Sequence, residues 1–354
     1  MAYNTYAYKH ETELGVGMAV TQKQIAEKLG ITQAAVALAL NGRAGVGEET
    51  REKIEATARE MGYHRLSNGA ARAMAAKRHG QRARTGSIGC SMPTNSPVAR
   101  LPYNIDLLEG IRNHCAQAGM ELMLLSELPH AQGEKLDGLL VHGGSEELRQ
   151  RSLPIVALMS APEGLPAVVA DEETGIEQAV RHLVELGHRR IAYLIHDMGQ
   201  QLEQRKAAYR GALLAAGIEP RAEWIGQFYH VGDMLDNGRF SMRHWLENGW
   251  SELGCTALLV QNDRAAIGAM AVLREAGVRL PQDVSIIGFD STDECELCWP
   301  RLTSVQVPLY DMGLRATEML LQLIDEKRLE TTRVTFPTKL ELRDSTCPVL
   351  SPES

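Results

Sequence analysis

The sequence predicts an α/β chain of 354 residues in which a small helical head precedes a much larger body built on parallel sheets. Three observations carry that prediction. Residues 20–41 pattern as two short amphipathic helices around a tight turn; from Ser87 onward short apolar runs alternate with helical segments in the manner of βαβ units; and a second such series begins near Val168. A chain of this length holds a head and two mid-sized lobes comfortably.

In the head, the first helix is expected to start at about Gln22. Thr21 caps it with its hydroxyl while Gln24, three residues on, reaches back in a T-x-x-Q capping box. Ile25, Ala26 and Leu29 form its apolar face, and Gly30 supplies the left-handed residue that ends it. Thr32 caps a second helix running to about Leu40, with Val36 and Leu40 packed back on the first. Ala34, Ala35, Ala37 and Ala39 read on propensity alone as helix formers. Two such helices serve either as a helix-turn-helix DNA reader or as a piece of an ordinary bundle, and this segment alone leaves both open. A third helix follows Val46, with Ile54, Ala58 and Met61 on one face, and closes at Met61-Gly62-Tyr63.

Charge is unevenly spread. Residues 18–84 hold 12 Lys or Arg against 6 Asp or Glu, whereas residues 85–354 hold 24 against 37. A basic head on an acidic body suits contact with phosphates through one end only.

In the body the expected strands are Ser87–Met92, Glu121–Ser126, Gly138–Val141 and Ile155–Met159, with helices near Asn104–Ala118 and Glu146–Arg151. The second series continues with strands at Ile191–Ile195, Ala257–Gln261 and Ser285–Phe289. One connection is too short. Only ten residues separate Ser126 from Asp137, where a helical crossover needs about a dozen or more. The helix expected there is missing or reduced to a turn, leaving part of one sheet face uncovered.

No apolar run reaches 18 residues and the first 20 residues lack a signal-peptide core, so a cytoplasmic protein with no membrane partner is expected. Six scattered cysteines, at 90, 115, 255, 295, 298 and 347, offer a single C-x-x-C and no second pair at zinc spacing. Reduced thiols are expected, with no metal and no cofactor. Residues 1–18 have no period of either kind and read as a disordered extension, or as a misplaced start ahead of Met18.

Several motifs stand in a fixed order: Leu40-Asn41, Val46 to Arg51 as V-x-x-x-T-R, Gly62-Tyr63, and Asn68 to Met74 as N-x-x-A-R-x-M. Further on come Asp171-x-x-x-Gly175, His182-Leu183, Gly187-His188-x-x-Ile191, Asn262-Asp263, and Gly288-Phe289-Asp290. From residue 19 to about 346 the chain resembles the lactose-repressor (LacI/GalR) family of bacterial transcription regulators. The resemblance implies a helix-turn-helix domain at 19–66, a hinge helix and linker at 67–84, and at 85–354 a periplasmic-binding-protein-like pair of Rossmann-type lobes that binds an effector and forms the dimer. It implies a homodimeric regulator, a repressor rather than an activator, on double-stranded operator DNA, and no catalysis.

By the same resemblance the second helix enters the major groove. Gln33 and Ala34 would then face base edges with Ala37 and Leu38 beyond them, and Thr21, Thr32 and Asn41 flank the contact. Gln takes adenine through two hydrogen bonds, whereas Ala and Leu meet only thymine methyls. Relatives commonly carry Ser and often Arg where this chain has Ala37 and Leu38, so an unusually apolar readout is expected. In the hinge, Asn68, Ala71, Arg72 and Met74 are the implied DNA contacts, with Met74 as the wedge into the minor groove. The linker from Tyr63 to Asn68 is two residues longer than usual.

Ligands of open parallel sheets bind beyond the carboxyl ends of the strands. Arg205 follows one such end, Asn262 and Asp263 another, and Asp290 a third. Guanidinium and carboxylates there can hold adjacent hydroxyls of a sugar or the edge of a base. Arg205 and Asp290 match the family's effector contacts, with Asp171, Asn262 and Met234 completing the candidate set; for Asp263 a helix cap is an equal alternative. Met234 stands where relatives often place an aromatic platform for the ligand, which argues against a sugar that needs ring stacking; a sugar-like effector is expected rather than a purine. The rival readings are an enzyme using Asp263 and Asp290, a transport receptor, and a regulator with a degenerate pocket that answers to a protein partner. No G-x-S-x-G elbow, P-loop or H-E-x-x-H appears, and Gly42 to Gly47 does not follow a strand. The basic head and the missing signal peptide oppose the receptor.

Overall fold

The computed structural model describes residues 22–40, 45–61, 84–92, 103–125, 128, 136–196, 200–228 and 233–349. Thr21, Asn41, the Gly62-Tyr63 pair, the hinge residues Asn68, Ala71, Arg72 and Met74, the first 18 residues and most of the short Ser126–Asp137 connection lie outside them. The chain divides into a unit ending at Gly86 and a unit beginning at Ser87.

The head contains α1 (Gln22–Leu29), α2 (Gln33–Leu40) and α3 (Glu48–Glu60). Gly30, at φ +66°, ends α1 as the sequence requires. The Ile31 amide then donates to Ala26 O at 3.0 Å and the Gly30 amide to Glu27 O at 3.4 Å, the paired bonds of a Schellman turn. Thr32 caps α2, its hydroxyl accepting from the Ala35 amide at 3.2 Å. Ile25, Val36 and Ile54, one per helix, are fully buried with Ala26, Ala39 and Ala58 around them. Each of the three large side chains contributes about 1.5–3 kcal/mol by leaving water. Ala39 is therefore core, not a residue chosen for propensity alone, and Leu40 is half-buried beside it.

The body holds two sheets of six strands. The first contains β1 (Ser87–Ser91), β2 (Glu121–Leu125), β3 (Gly138–His142), β4 (Ile155–Leu158), β5 (Ala167–Ala170) and, from near the C-terminus, β11 (Arg333–Phe336). Its order is β11-β5-β4-β3-β1-β2. The second contains β6 (Ile191–Ile195), β7 (Ile225–Gln227), β8 (Ala257–Val260), β9 (Ser285–Asp290), β10 (Thr303–Gln306) and β12 (Lys339–Glu341), in the order β12-β10-β9-β8-β6-β7. Every pairing is parallel except β10 with β12. Central strands β1 and β6 are buried at every position, which is why they read as unbroken apolar runs. Edge strand β2 is not: Met123 and Leu124 are 43% and 62% exposed. The helix expected near Glu146–Arg151 is a five-residue 3-10 turn, Glu146–Gln150, with only Leu148 buried.

Each lobe carries a pair of helices in backbone contact. In the first, α4 (Tyr103–Ala118) meets α11 (Leu309–Ile324); in the second, α7 (Met234–Glu247) meets α9 (Asp263–Glu275). A Cβ at Gly110 would strike the Tyr310 carbonyl, and one at Gly268 the Leu235 carbonyl. The remaining helices of the second lobe are α5 (Glu172–Glu185), α6 (Gln200–Ala215), α8 (Trp250–Leu253) and α10 (Glu294–Leu297).

The chain passes between lobes after β5, after β10 and after β11. Two of these passages are tied together: the Asp171 amide donates to Phe336 O at 2.8 Å, and the Thr338 hydroxyl to Asp171 O at 2.7 Å. The glycine of the D-x-x-x-G motif sits against them. A Cβ on Gly175 would lie 2.7 Å from both Thr338 Oγ1 and Val305 Cγ1, so any side chain would prise the passages apart. His188 of the Gly-His motif is buried in the second lobe, with Nδ1 at 2.8 Å from Thr256 Oγ1 and Nε2 at 3.0 Å from Ser285 Oγ and 3.1 Å from Cys347 O. Burial pushes its pKa down, so it ties these strands as a neutral ring.

Among the described residues the cysteines are free thiols, no cluster of metal-ligating side chains occurs, and no helix is long and apolar enough to cross a membrane.

Candidate functional site

Between the two sheets of the body lies a cleft of about 1090 Å³. The first lobe lines it with His142, Met159 and Ser160 and, from β11, Arg333; the second lobe brings Asp171, Glu172, Arg205, Met234, Asn262 and Asp290. All five residues singled out for an effector thus share one cavity. They are not equally available.

Arg205, in the first turns of α6, is 6% exposed. Its Nε and one terminal nitrogen donate to the two carboxylate oxygens of Glu172, both at 2.8 Å, and its other terminal nitrogen donates to Gln261 O at 2.9 Å. The guanidinium carbon stands 4.0 Å above the Phe289 ring. Three of its five N–H groups are therefore held by the protein. Glu172 is a site residue that sequence reasoning missed, since an acidic residue in the first turn of a helix already has an ordinary explanation in the helix dipole.

Asp171 and Asn262 are caps. Asp171 accepts from the Thr174 amide at 3.1 Å and the Thr174 hydroxyl at 2.8 Å; Asn262 accepts from the Ala265 amide at 2.9 Å. Asn262 thus keeps its amide N–H groups for a ligand. Asp263 neither caps nor lines the cleft, and the expectation of one or the other is corrected. Its neighbour caps α9, while its own carboxylate is 1% exposed and turned inward, accepting from Ser304 Oγ at 2.5 Å and from the Thr292 amide and hydroxyl at 2.7 and 3.1 Å. Met234 opens α7 and is 4% exposed, so it offers the cleft an apolar wall without a stacking face.

Asp290 closes β9 in an uncommon conformation, φ +104°, followed by Ser291 at φ +56°. Its carboxylate has no hydrogen-bond partner among the described residues. Burial and then the nearby Asp263 raise its pKa well above the ordinary carboxylate value, with Arg205 pulling the other way. A carboxyl with a raised folded-state pKa is ionised at a cost that is full above that pKa and vanishes once pH falls below the unfolded value of about 3.9. Asp290→Asn is therefore expected to raise the melting temperature at pH 7.5, with the gain shrinking to nothing below about pH 4. Melts across that range check it; a gain that does not vary with pH would show that the cost of ionising Asp290 is not its cause.

In the head, Gln33 and Ala34 are exposed on the first turn of α2, as is Thr32, whose hydroxyl is the cap. Ala37 and Leu38 are half-buried. Leu38 leans toward Gly45, where a Cβ would come within 3.3 Å of its Cδ1.

A profile of the periplasmic binding protein-like domain matches residues 180–346. Catabolite control protein A of Priestia megaterium is 27% identical over 350 residues, 93% of this chain and 100% of that protein. The HTH-type transcriptional repressor CytR of Escherichia coli (strain K12) is 29% identical over 349 residues, 93% of this chain and 96% of the relative. A solved complex of the transcriptional regulator CelR with cellobiose superposes with a TM-score of 0.65 at 26% identity, over 92% of this chain and 99% of the other. These matches run through head and body together, and the relatives are transcription regulators, not enzymes. The three-helix head, the paired parallel sheets with their cleft and the end-to-end likeness lead to one conclusion: the chain belongs to the LacI/GalR family of DNA-binding transcriptional regulators with an effector domain.

Proposed function

We propose that the protein is a cytoplasmic homodimeric repressor whose grip on a pseudo-palindromic operator is set by a sugar-like effector in the body's cleft, without any cofactor. One observation carries the effector assignment: the unpartnered Asp290 carboxylate on the same cleft wall as the Arg205 guanidinium. Asp290 accepts from two neighbouring hydroxyls, the remaining Arg205 N–H groups and the Asn262 amide donate to ring or hydroxyl oxygens, and Met234 packs on an apolar edge. Asp171, held as a cap, shapes the wall. The cellobiose held by CelR supports a sugar over a purine. The signal would reach DNA through residues 67–84, with Asn68, Ala71, Arg72 and Met74 at the minor groove.

The test is an operator selected from a random DNA pool, followed by gel shifts against a panel of sugars and nucleosides. A sugar should change operator affinity in the wild type and leave it unchanged in Asp290→Asn. A nucleoside that acts while every sugar fails would replace the sugar reading.

For the head, Gln33 is the long polar side chain exposed at the start of α2. Gln33→Ala is expected to cost about 1–3 kcal/mol on the operator and little on random DNA. Equal losses on both would make it a phosphate contact.

A further inference from the structure

Glu172 does more than anchor Arg205. A guanidinium at the floor of a cleft is ordinarily the group that holds a phosphate or carboxylate, through two parallel N–H bonds. Here that fork is already filled by the bidentate Glu172 pair, both bonds at 2.8 Å, with both side chains 8% exposed. The charge of Arg205 is cancelled before any ligand arrives. The next polar group on the wall, Asp290, is a carboxylate without a hydrogen-bond partner among the described residues, and Asp171 and Glu173 line the same side. Across the cleft, Arg333 is an exposed side chain on the edge strand β11.

An anion entering this space meets a neutralised guanidinium and a repelling carboxylate in a region shielded from water, where like charges interact more strongly than in solution. An uncharged polyol meets an acceptor, Asp290, and the N–H groups that Glu172 leaves over. We propose that Glu172 sets the charge class of the cleft's ligand, admitting an unphosphorylated, uncharged polyol and shutting out its phosphorylated or carboxylated forms. This rests on the cleft being the effector site and adds the ligand's charge.

The test uses inorganic phosphate as the probe, titrated calorimetrically into the full chain at fixed ionic strength. The wild type should show no saturable binding up to 20-fold over a concentration at which Glu172→Gln is half-saturated, roughly a tenfold or greater gain for the variant. Adding Arg205→Lys to Glu172→Gln should remove that gain, because the two-pronged fork is lost. Saturable phosphate binding by the wild type that Arg205→Lys weakens would overturn the proposal, as would a folded Glu172→Gln protein that still ignores phosphate. Should Glu172→Gln not fold, Glu172→Asn replaces it, and the wild-type titration decides by itself in one direction. A second arm compares glucose with glucose 6-phosphate, and ribose with ribose 5-phosphate, by thermal shift. Preference for a phosphorylated member overturns the charge assignment yet leaves a cleft effector in place. If instead no sugar changes operator affinity while the phosphate results come out as expected, the effector reading fails and the role of Glu172 stands.

Discussion

Arg205→Ala is expected to lower the stability of the body by about 3–5 kcal/mol, the range for breaking a buried ion pair from one side. The loss comes less from the missing attraction than from what is left behind. Glu172 would remain a carboxylate at 8% exposure without its bidentate guanidinium partner, and the Gln261 carbonyl would lose its donor. For a unit of this size the melting temperature should fall by on the order of 10 °C. The decisive comparison is the double variant Arg205→Met with Glu172→Met, which removes both charges and fills similar volume. It should recover most of the loss, since well-packed apolar replacements of buried pairs are often neutral. If Arg205→Ala and the double variant are equally unstable, packing on Phe289 rather than unpaired charge is the cause. This also bears on how the effector site is probed: an Arg205 variant perturbs the fold, so Asp290, which the protein does not hold, is the cleaner handle.

The same residues show what a sequence gives up readily and what it keeps. Strands β1, β6 and β8 were legible because a strand buried on both faces must be apolar at every position. Strands β7, β11 and β12, of three or four residues each, were not: they lie at sheet edges, carry exposed positions, and each pairs with residues more than thirty positions away. In the cleft, Arg205, Asn262 and Asp290 could be placed from the rule that ligands sit beyond strand ends, because that rule needs only local order along the chain. Glu172 could not. Its pairing with Arg205 spans 33 residues and depends on how α5 and α6 pack, which no local pattern encodes. Asp263 is the converse case, a residue placed correctly at a strand end whose side chain turns away from the cleft because its neighbour Asn262 takes the cap.

That inward turn makes Asp263 the second large effect. Its two oxygens collect three hydrogen bonds, from Ser304 Oγ and from the amide and hydroxyl of Thr292, and Ser304 Oγ in turn accepts from the Ser291 amide at 3.1 Å. Residues 290–292 are thereby held from beneath, although Asp290 and Ser291 both adopt positive φ, a conformation that costs a non-glycine residue about 1–3 kcal/mol. Burial pushes the Asp263 carboxyl up to about 6, partly offset by these donors, so at neutral pH it is a charged acceptor whose bonds exceed neutral ones in strength. Asp263→Ala leaves the Thr292 amide and two hydroxyls without their acceptor and removes what holds the turn. A loss of about 3–5 kcal/mol is expected, with the amides of Ser291 and Thr292 exchanging hydrogen much faster than those of the neighbouring strand β8. Asp263→Asn keeps one acceptor oxygen and should fall between the two. The exchange measurement separates the alternatives. If Asp263 served only the core, both amides would slow or quicken in step with β8 as the whole lobe loses stability; if it holds the turn that presents Asp290, they are released first, and binding of any cleft ligand weakens even under conditions where the lobe stays folded.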